Sequence, residues 1–355
     1  MFRGGAKMNS RRPFFLRPPK ILSCITTLAY AIIGNATHAF PIHSLQEKSA
    51  MTSPLVRLVS FLLLLLFVIP ASFVAAQGRT YPPEIEGADV YTYKQADDIE
   101  LKLWVFQPER PEGEELESLP AIVFFFGGGW NSGSPTQFVP QCQHLAQRGM
   151  VAAVADYRVK SRHDVQAITC VRDAKSCVRW IRSNADMLGV DPERVAAGGG
   201  SAGGHLAAAV GLIQAFDEEE EDLTISSQPN AMVLCNPAVV LAPVEGMKAV
   251  SDERLASLGQ RMGVEPEQLS PYHHVREGLP PTIIFHGKGD TTVPYLTVEL
   301  FEKAMTDASN DCELVGFEGR PHGFFNAGRN NNEDYEAVLK EMDRFLTDLG
   351  YLAEE

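Results

Sequence analysis

A serine hydroxyl attacks a carbonyl only when a neighbouring base takes its proton and a third group holds that base in place. The run Gly199-Gly200-Ser201-Ala202-Gly203 fits the pattern G-x-S-x-G. A short strand pattern, Arg194 to Ala197, precedes it, and a helical run of small residues, Ala202 to Phe216, follows at once. A serine so placed stands on a sharp strand-to-helix turn, lifted above the sheet. Glycines flank it because strand and helix approach too closely for a Cβ. The helix N-terminus aims its free N–H groups and the positive end of its dipole at the same point. Without the strand before and the helix after, the same letters would read as a glycine-rich turn with an incidental serine.

On such an elbow the acid and base follow the serine in chain order, acid first. His322, in Gly319-Arg320-Pro321-His322-Gly323-Phe324, comes after the last strand pattern, Glu313 to Phe317, on a loop where an imidazole can move between serine and leaving group. The other histidines fit less well. His205 lies one turn into the serine's own helix, His273 and His274 precede every good acid, and His286 ends a strand ahead of Asp290. For the acid, Asp290 stands just after the strand pattern Thr282 to Phe285, in Gly287-Lys288-Gly289-Asp290-Thr291-Thr292-Val293-Pro294. Its rivals Asp307 and Asp311 fall on or after a helix.

Charge developing on the carbonyl oxygen needs backbone donors, each worth about 2.7–4 kcal/mol of barrier. Gly127-Gly128-Gly129-Trp130 directly follows the apolar run Ala121 to Phe126, where such a loop belongs. The amides of Gly128, Gly129 and Ala202 are the expected donors. Trp130 and Phe324 are candidates for a substrate wall, with core packing as the competing role. Chemistry of this kind calls for no cofactor and no metal.

These residues have to be positioned by the elements around them, and the pattern is strand alternating with helix. Leu101–Val105, Ala121–Phe126, Val151–Ala155, Arg194–Ala197, Ala231–Leu234, Thr282–Phe285 and Glu313–Phe317 read as strands, several apolar throughout, as suits burial on both faces. Asp164 to Met187 carries helical spacing, with Asp164 as its expected N-cap. The alternation predicts an α/β fold, a mostly parallel central sheet with helices on both faces. Residues 244–275, with a polar helical stretch at Asp252–Arg261, are expected to form a small helical cap. Asp217 to Asp222 (DEEEED) lacks the turn glycine of a calcium loop and is expected to be a solvated loop.

The first 76 residues read as a leader. Arg57, the apolar run Phe61–Ile69 and the small residues ending Val74-Ala75-Ala76 have the layout of a secretory signal. A start at Met51 makes residues 1–50 an over-extended gene start, 51–76 a signal peptide and 77–355 the folded domain. The alternative is a twin-arginine-like leader at Ser10–Leu16. Either way export is expected, periplasmic or extracellular. A membrane is a partner only if the apolar segment is retained as an anchor. The 355 residues carry 31 Lys+Arg against 45 Asp+Glu, a net −14, and the part after residue 76 carries 23 against 44, or −21. Nucleic acid and anionic lipid are excluded as general partners by that sign. Five of the six cysteines fall after the leader, Cys142, Cys170, Cys177, Cys235 and Cys312, an odd number in no metal-binding spacing.

The whole constellation resembles the α/β-hydrolase superfamily. Within it the chain is similar to the esterase/lipase branch of hormone-sensitive-lipase-like enzymes, acetyl esterases and bacterial feruloyl or acetyl-xylan esterases. The resemblance runs from about Leu101 to the C-terminus, through GGGW at 127–130, Asp156-Tyr157-Arg158, Trp180-Ile181-Arg182, GGGSAGGHLA at 198–207, Asp290-Thr291-Thr292-Val293-Pro294 and His322-Gly323-Phe324. It implies a Ser201–Asp290–His322 triad, an acyl-enzyme, and small-molecule or polysaccharide-linked ester substrates. Alternative expectations are a prolyl-oligopeptidase-like peptidase and an inactive binding protein on the same fold. One residue departs from the branch: Phe126 stands where a histidine usually braces the glycine loop. Ser201→Ala is expected to abolish ester hydrolysis and labelling by a serine-directed fluorophosphonate, whereas Phe126→His should change the rate only modestly. Failure of the wild type to be labelled would remove serine catalysis altogether.

Overall fold

The computed structural model describes residues 81–109 and 118–354. The leader expected in residues 1–76 lies outside these residues. Eight strands form one sheet: β1 (Asp89–Ala96), β2 (Ile99–Phe106), β3 (Leu119–Phe125), β4 (Val151–Ala155), β5 (Val190–Gly200), β6 (Ala231–Cys235), β7 (Thr282–Gly287) and β8 (Cys312–Phe317). Their order is β1-β2-β4-β3-β5-β6-β7-β8. The pairs β1/β2 and β2/β4 are antiparallel and all others parallel. From β3 the chain moves first to one side, into β4, and then to the other, into β5. The order therefore reverses between β3 and β5, and the crevice beyond their carboxyl ends is where sheets of this type bind ligands.

The described residues form six longer helices: α1 (Val139–Gln147), α2 (Ala167–Ser183), α3 (Ala202–Leu212), α4 (Asp252–Met262), α5 (Tyr295–Asp307) and α6 (Glu333–Asp348). Strand alternation divides the core in two. Val123 and Phe125 of β3 pack with Cys170, Val178, Leu206 and Phe301 of α2, α3 and α5. Ile122 and Phe124 of the same strand pack on the opposite face with Cys142 and Leu145 of α1 and Met342 and Phe345 of α6. Between β6 and β7 the chain leaves the sheet, and this segment carries α4 and two short 3₁₀ turns, Pro266–Leu269 and Pro271–His274. All five described cysteines are buried free thiols. Among the described residues, no helix is long and apolar enough to cross a membrane.

Several expectations are corrected at element ends. Asp164 does not cap α2; it ends a one-turn helix, Lys160–His163, in the left-handed region at φ 49°. Asp tolerates that conformation better than most residues, and α2 starts three residues later. Helix α3 stops at Leu212, because Arg276 takes the Leu212 carbonyl at 2.5 Å and Lys175 takes those of Ile213 and Ala215 at 2.9 and 2.8 Å. Strand β1 carries no apolar run because, at the edge of the sheet, half of its residues are exposed and only Tyr93 is buried. The acidic run is not simply solvated: Asp217 pairs with Lys175 and Arg179, Glu218 with Lys94, and Glu221 with Arg179.

Asp156, just past the end of β4, is buried and accepts from Tyr81 Oη and, at 2.8 Å, from the Tyr157 amide. Burial raises its pKa to about 6, against the opposing pull of Tyr81, Arg162 and the Tyr157 amide. Between its unfolded value near 3.9 and about 6, the folded state therefore holds the proton more tightly, and stability falls as pH rises through that window. Comparison of urea midpoints for wild type and Asp156→Asn should show the wild type losing ground by up to about 3 kcal/mol between acid and neutral pH, then levelling. A difference that does not move with pH would mean the carboxyl titrates normally.

Candidate active site

The site begins with a contact too close for any side chain. A Cβ on Gly203 would lie 1.9 Å from the Phe125 carbonyl oxygen. Helix α3 thus starts hard against the end of β3, whose Phe125 is already in register with Gly199 of β5. Between β5 and α3 the backbone turns in a single residue, Ser201, at φ 56° and ψ −115°. Its amide is held by the Cys235 carbonyl at the end of β6, 2.9 Å away. A β-hydroxyl residue in such a conformation is strained, and strain of this kind persists only where the surroundings over-determine it.

His322, on the loop after β8, sets Nε2 2.9 Å from Ser201 Oγ and Nδ1 2.6 Å from Asp290 Oδ2. An ionised carboxylate only accepts, so Nδ1 carries the proton and Nε2 is left to accept from the serine. Asp290 follows β7, with its side chain fully buried. Its Oδ1 accepts the amides of Thr292 and Val293 at 2.7 and 2.9 Å, and its Oδ2 also accepts Asn236 Nδ2 at 2.8 Å. Burial by itself would raise the Asp290 pKa, but hydrogen bonds from His286, His322 and the Val293 amide outweigh it and hold the carboxyl well below the usual range. The three residues singled out from the sequence are therefore brought together in one hydrogen-bonded chain.

The glycine loop lies beside them. Gly128 adopts φ 130°, and a Cβ there would meet the Ser132 carbonyl oxygen at 2.1 Å. Its own carbonyl accepts from Asn131 and Ser132, which folds the loop back on itself. Among the described residues, the amides of Gly128, Gly129 and Ala202 meet no protein acceptor, whereas that of Gly127 donates to Gln137 Oε1 at 2.6 Å. Phe126 is buried and stacks on Tyr157 with ring centroids 4.1 Å apart, and Tyr157 Oη donates to the Phe126 carbonyl at 2.7 Å. The support a histidine would give is thus supplied by Tyr157 and Gln137. Gln137 also reaches across, its Nε2 donating to Asn326 Oδ1 at 2.9 Å, and Asn326 donates to the carbonyl of Gly323, next to His322. One side chain ties the glycine loop to the histidine loop.

The remaining histidines are structural. Buried His205 accepts the indole N–H of Trp130 at Nδ1 (3.1 Å) and donates from Nε2 to the Leu269 carbonyl (2.8 Å). Burial pushes its pKa down to about 4, so the ring is neutral. His286 is wholly buried behind Asp290, bonded to the Val293 carbonyl at 2.9 Å, and His273 and His274 bond carbonyls of their own insertion. A cavity of about 460 Å³ opens at Ser201, with Trp130 on its wall and Val240, Leu241, Val250, Leu258 and Val293 among its apolar lining. Phe324 is not on that wall. It is buried on the far face of the sheet against Phe317 and Phe325, centroids 4.6 and 6.2 Å away, so its expected place in substrate contact is corrected to core packing.

Asn236, Gln137 and Arg261 were not singled out from the sequence. Asn236 follows a strand and sits at φ 45°, a conformation asparagine tolerates, which is a local signal. Gln137 and Asn326 are 189 positions apart, and no local pattern links them.

The chain matches BD-FAE over residues 109–305, more than half of its length. It belongs to the BD-FAE family. Residues 263–350 also match the dienelactone hydrolase family. Among solved structures, the butyrate-bound form of the thermophilic esterase Est2 from the planctomycete Thermogutta terrifontis is 52% identical at a TM-score of 0.73, covering 78% of this chain and 99% of that one. The same esterase phosphonylated by sarin matches at 52% identity and a TM-score of 0.74, covering 78% and 100%. An acetylxylan esterase of Xylanibacter ruminicola is 26% identical over 280 residues, 75% of this chain and 51% of that protein. The chain spans about half the length of the curated relatives it matches first. Family and neighbours together give this BD-FAE member the α/β-hydrolase fold and a likeness to esterases that carry it.

Two bracing contacts generate a test. Gln137→Leu leaves the Gly127 amide without its partner, and Asn236→Ala removes a donor from Asp290. Each should lower kcat on p-nitrophenyl butyrate by about tenfold, the scale of losing one hydrogen bond worth roughly 1–1.5 kcal/mol that positions the glycine loop or the Asp290 carboxylate. KM should change little, and a folded variant with unaltered kcat would show the contact to be idle.

Proposed function

We propose that the protein is an exported serine carboxylic-ester hydrolase acting on short-chain or carbohydrate-linked esters. The observation that carries this reading is the unbroken hydrogen-bonded chain Ser201 Oγ, His322, Asp290 beside three unengaged backbone amides. In the proposed mechanism His322 Nε2 takes the Ser201 proton as Oγ attacks the ester carbonyl. The buried carboxylate of Asp290 holds the ring in the tautomer that can accept it and stabilises the imidazolium that forms. Gly128, Gly129 and Ala202 donate to the oxyanion. His322 then returns the proton to the leaving alcohol, and water, activated by the same ring, releases the acid from the acyl-enzyme.

Support for the substrate class comes from chemistry and from relatives. The cavity has an apolar lining and a volume of about 460 Å³, within the range of small-ligand sites. The Thermogutta terrifontis esterase holds butyrate in one structure and is phosphonylated by sarin in another. The Xylanibacter ruminicola relative is an acetylxylan esterase. Export rests on the signal-like segment at residues 51–76. Rates on p-nitrophenyl esters from acetate to palmitate, alongside acetylated xylan and methyl ferulate, test the reading. Activity should peak at short acyl chains and fall about tenfold or more towards palmitate, as chains outgrow the cavity. A preference for palmitate, or no turnover and no fluorophosphonate labelling, would overturn it.

A further inference from the structure

Helix α4 contributes part of the lining of the cavity at Ser201, and that part carries two arginines. Arg254 and Arg261 both line the cavity that holds Ser201 and Trp130. Arg261 is partly buried, with its guanidinium 5.3 Å from the centre of the Trp130 ring and one Nη donating to the Gly129 carbonyl. That contact occupies one of its five donors. Neither arginine forms an ion pair among the described residues. Glu253, which also lines the cavity, pairs with neither, and the serines that share the wall, Ser251 and Ser257, bear no charge. Some arginines of the chain are neutralised, as Arg158 is by Asp173 and Glu218 and Arg179 by Asp217 and Glu221, and others such as Arg182 and Arg276 spend their donors on backbone carbonyls, whereas Arg254 and Arg261 stand together on the wall of one cavity.

Two unpaired cations on one cavity wall repel each other and are costly to desolvate. Burial, and then the charge of Arg254, lower the Arg261 pKa, so leaving the pair uncompensated works against this part of the fold. In a chain with a net charge of −14, carboxylates to pair with them are abundant, and Glu253 even lines the same cavity, yet none forms an ion pair with either arginine among the described residues. The planar fork of a guanidinium is matched by a carboxylate, which it can hold through two parallel hydrogen bonds.

The geometry points to a specificity device: Arg254 and Arg261 receive a carboxylate on the substrate, so that the preferred esters are half-esters of dicarboxylic acids or other esters bearing an ionised acid group near the scissile bond. This rests on the serine-hydrolase reading above and adds to it the charge of the substrate. Arg261, already fastened to the glycine loop, would couple occupancy of this anion site to the loop that carries the oxyanion donors. Arg254 has no such second duty and reports on charge recognition more cleanly.

The experiment compares kcat/KM for monomethyl succinate, glutarate and adipate with kcat/KM for methyl butyrate, valerate and hexanoate, by titration of released acid. At one or more chain lengths the half-ester should exceed its neutral counterpart by about tenfold, the scale of one charge-assisted contact. Arg254→Gln should bring that ratio down about tenfold, and Arg261→Lys, which keeps charge but loses the fork, should lower it less than Arg261→Gln. The wild-type preference should also shrink as salt is raised. Half-esters slower than neutral esters at every length, or a ratio untouched by Arg254→Gln, would overturn the inference while leaving ester hydrolysis intact. Loss of turnover on the neutral esters together with absent fluorophosphonate labelling would instead overturn the hydrolase reading, and this inference with it.

Discussion

No methyl group fits between Gly203 and the carbonyl of Phe125, and the architecture of the site follows from that exclusion. It lets α3 begin against the end of β3, which in turn forces the chain to reverse at Ser201 with a positive φ. The same contact brings the glycine loop after β3 and the serine after β5 to adjacent strand ends, at the point where strand order reverses. Asn236, Asp290 and His322 come from the ends of β6, β7 and the loop after β8, the next three strands in the sheet. Four neighbouring strand ends thus deliver the polar groups in spatial order, and the buried sheet keeps their spacing.

Loops at the end of a sheet are free to drift unless something ties them together. Here the ties are polar and cross from one loop to another. Gln137 links the amide of Gly127 to Asn326, Asn326 holds the carbonyl next to His322, and Asn236 holds Asp290. Tyr157 fixes Phe126 both by stacking and through its hydroxyl. An aromatic residue therefore replaces the histidine of the wider branch without loosening the loop, because the partner that matters is the backbone carbonyl and a tyrosine can reach it. Preorganisation of this sort is what lets oriented backbone dipoles act on developing charge without first having to rearrange.

Most of the sheet and the residues in the Ser201–His322–Asp290 chain were legible in the sequence, for physical reasons. Apolar runs such as Ala121–Phe126 can only be doubly buried strands, and glycines around a serine between strand and helix have few other uses. What escaped was of two kinds. Edge strand β1 and the exact ends of α2 and α3 depend on solvent exposure and on distant cap partners such as Arg276 and Lys175, which local patterns do not carry. Phe324, two residues after His322, packs into the core against Phe317, because the chain turns at Gly323 with φ 74° between them. Adjacency in the chain was a poor guide there, while the partners of Asp290 and Gly127 had to be found across the sheet.

The five buried thiols bear on what holds such a chain folded. None is paired, and burial raises the pKa of each, so none supplies the thiolate on which disulfide exchange and oxidation depend. No disulfide contributes to the described fold, which packing and polar contacts hold together. Among the described residues there is thus no covalent cross-link for a reductant to break, and the cost of unfolding this part of the chain is set by non-covalent contacts.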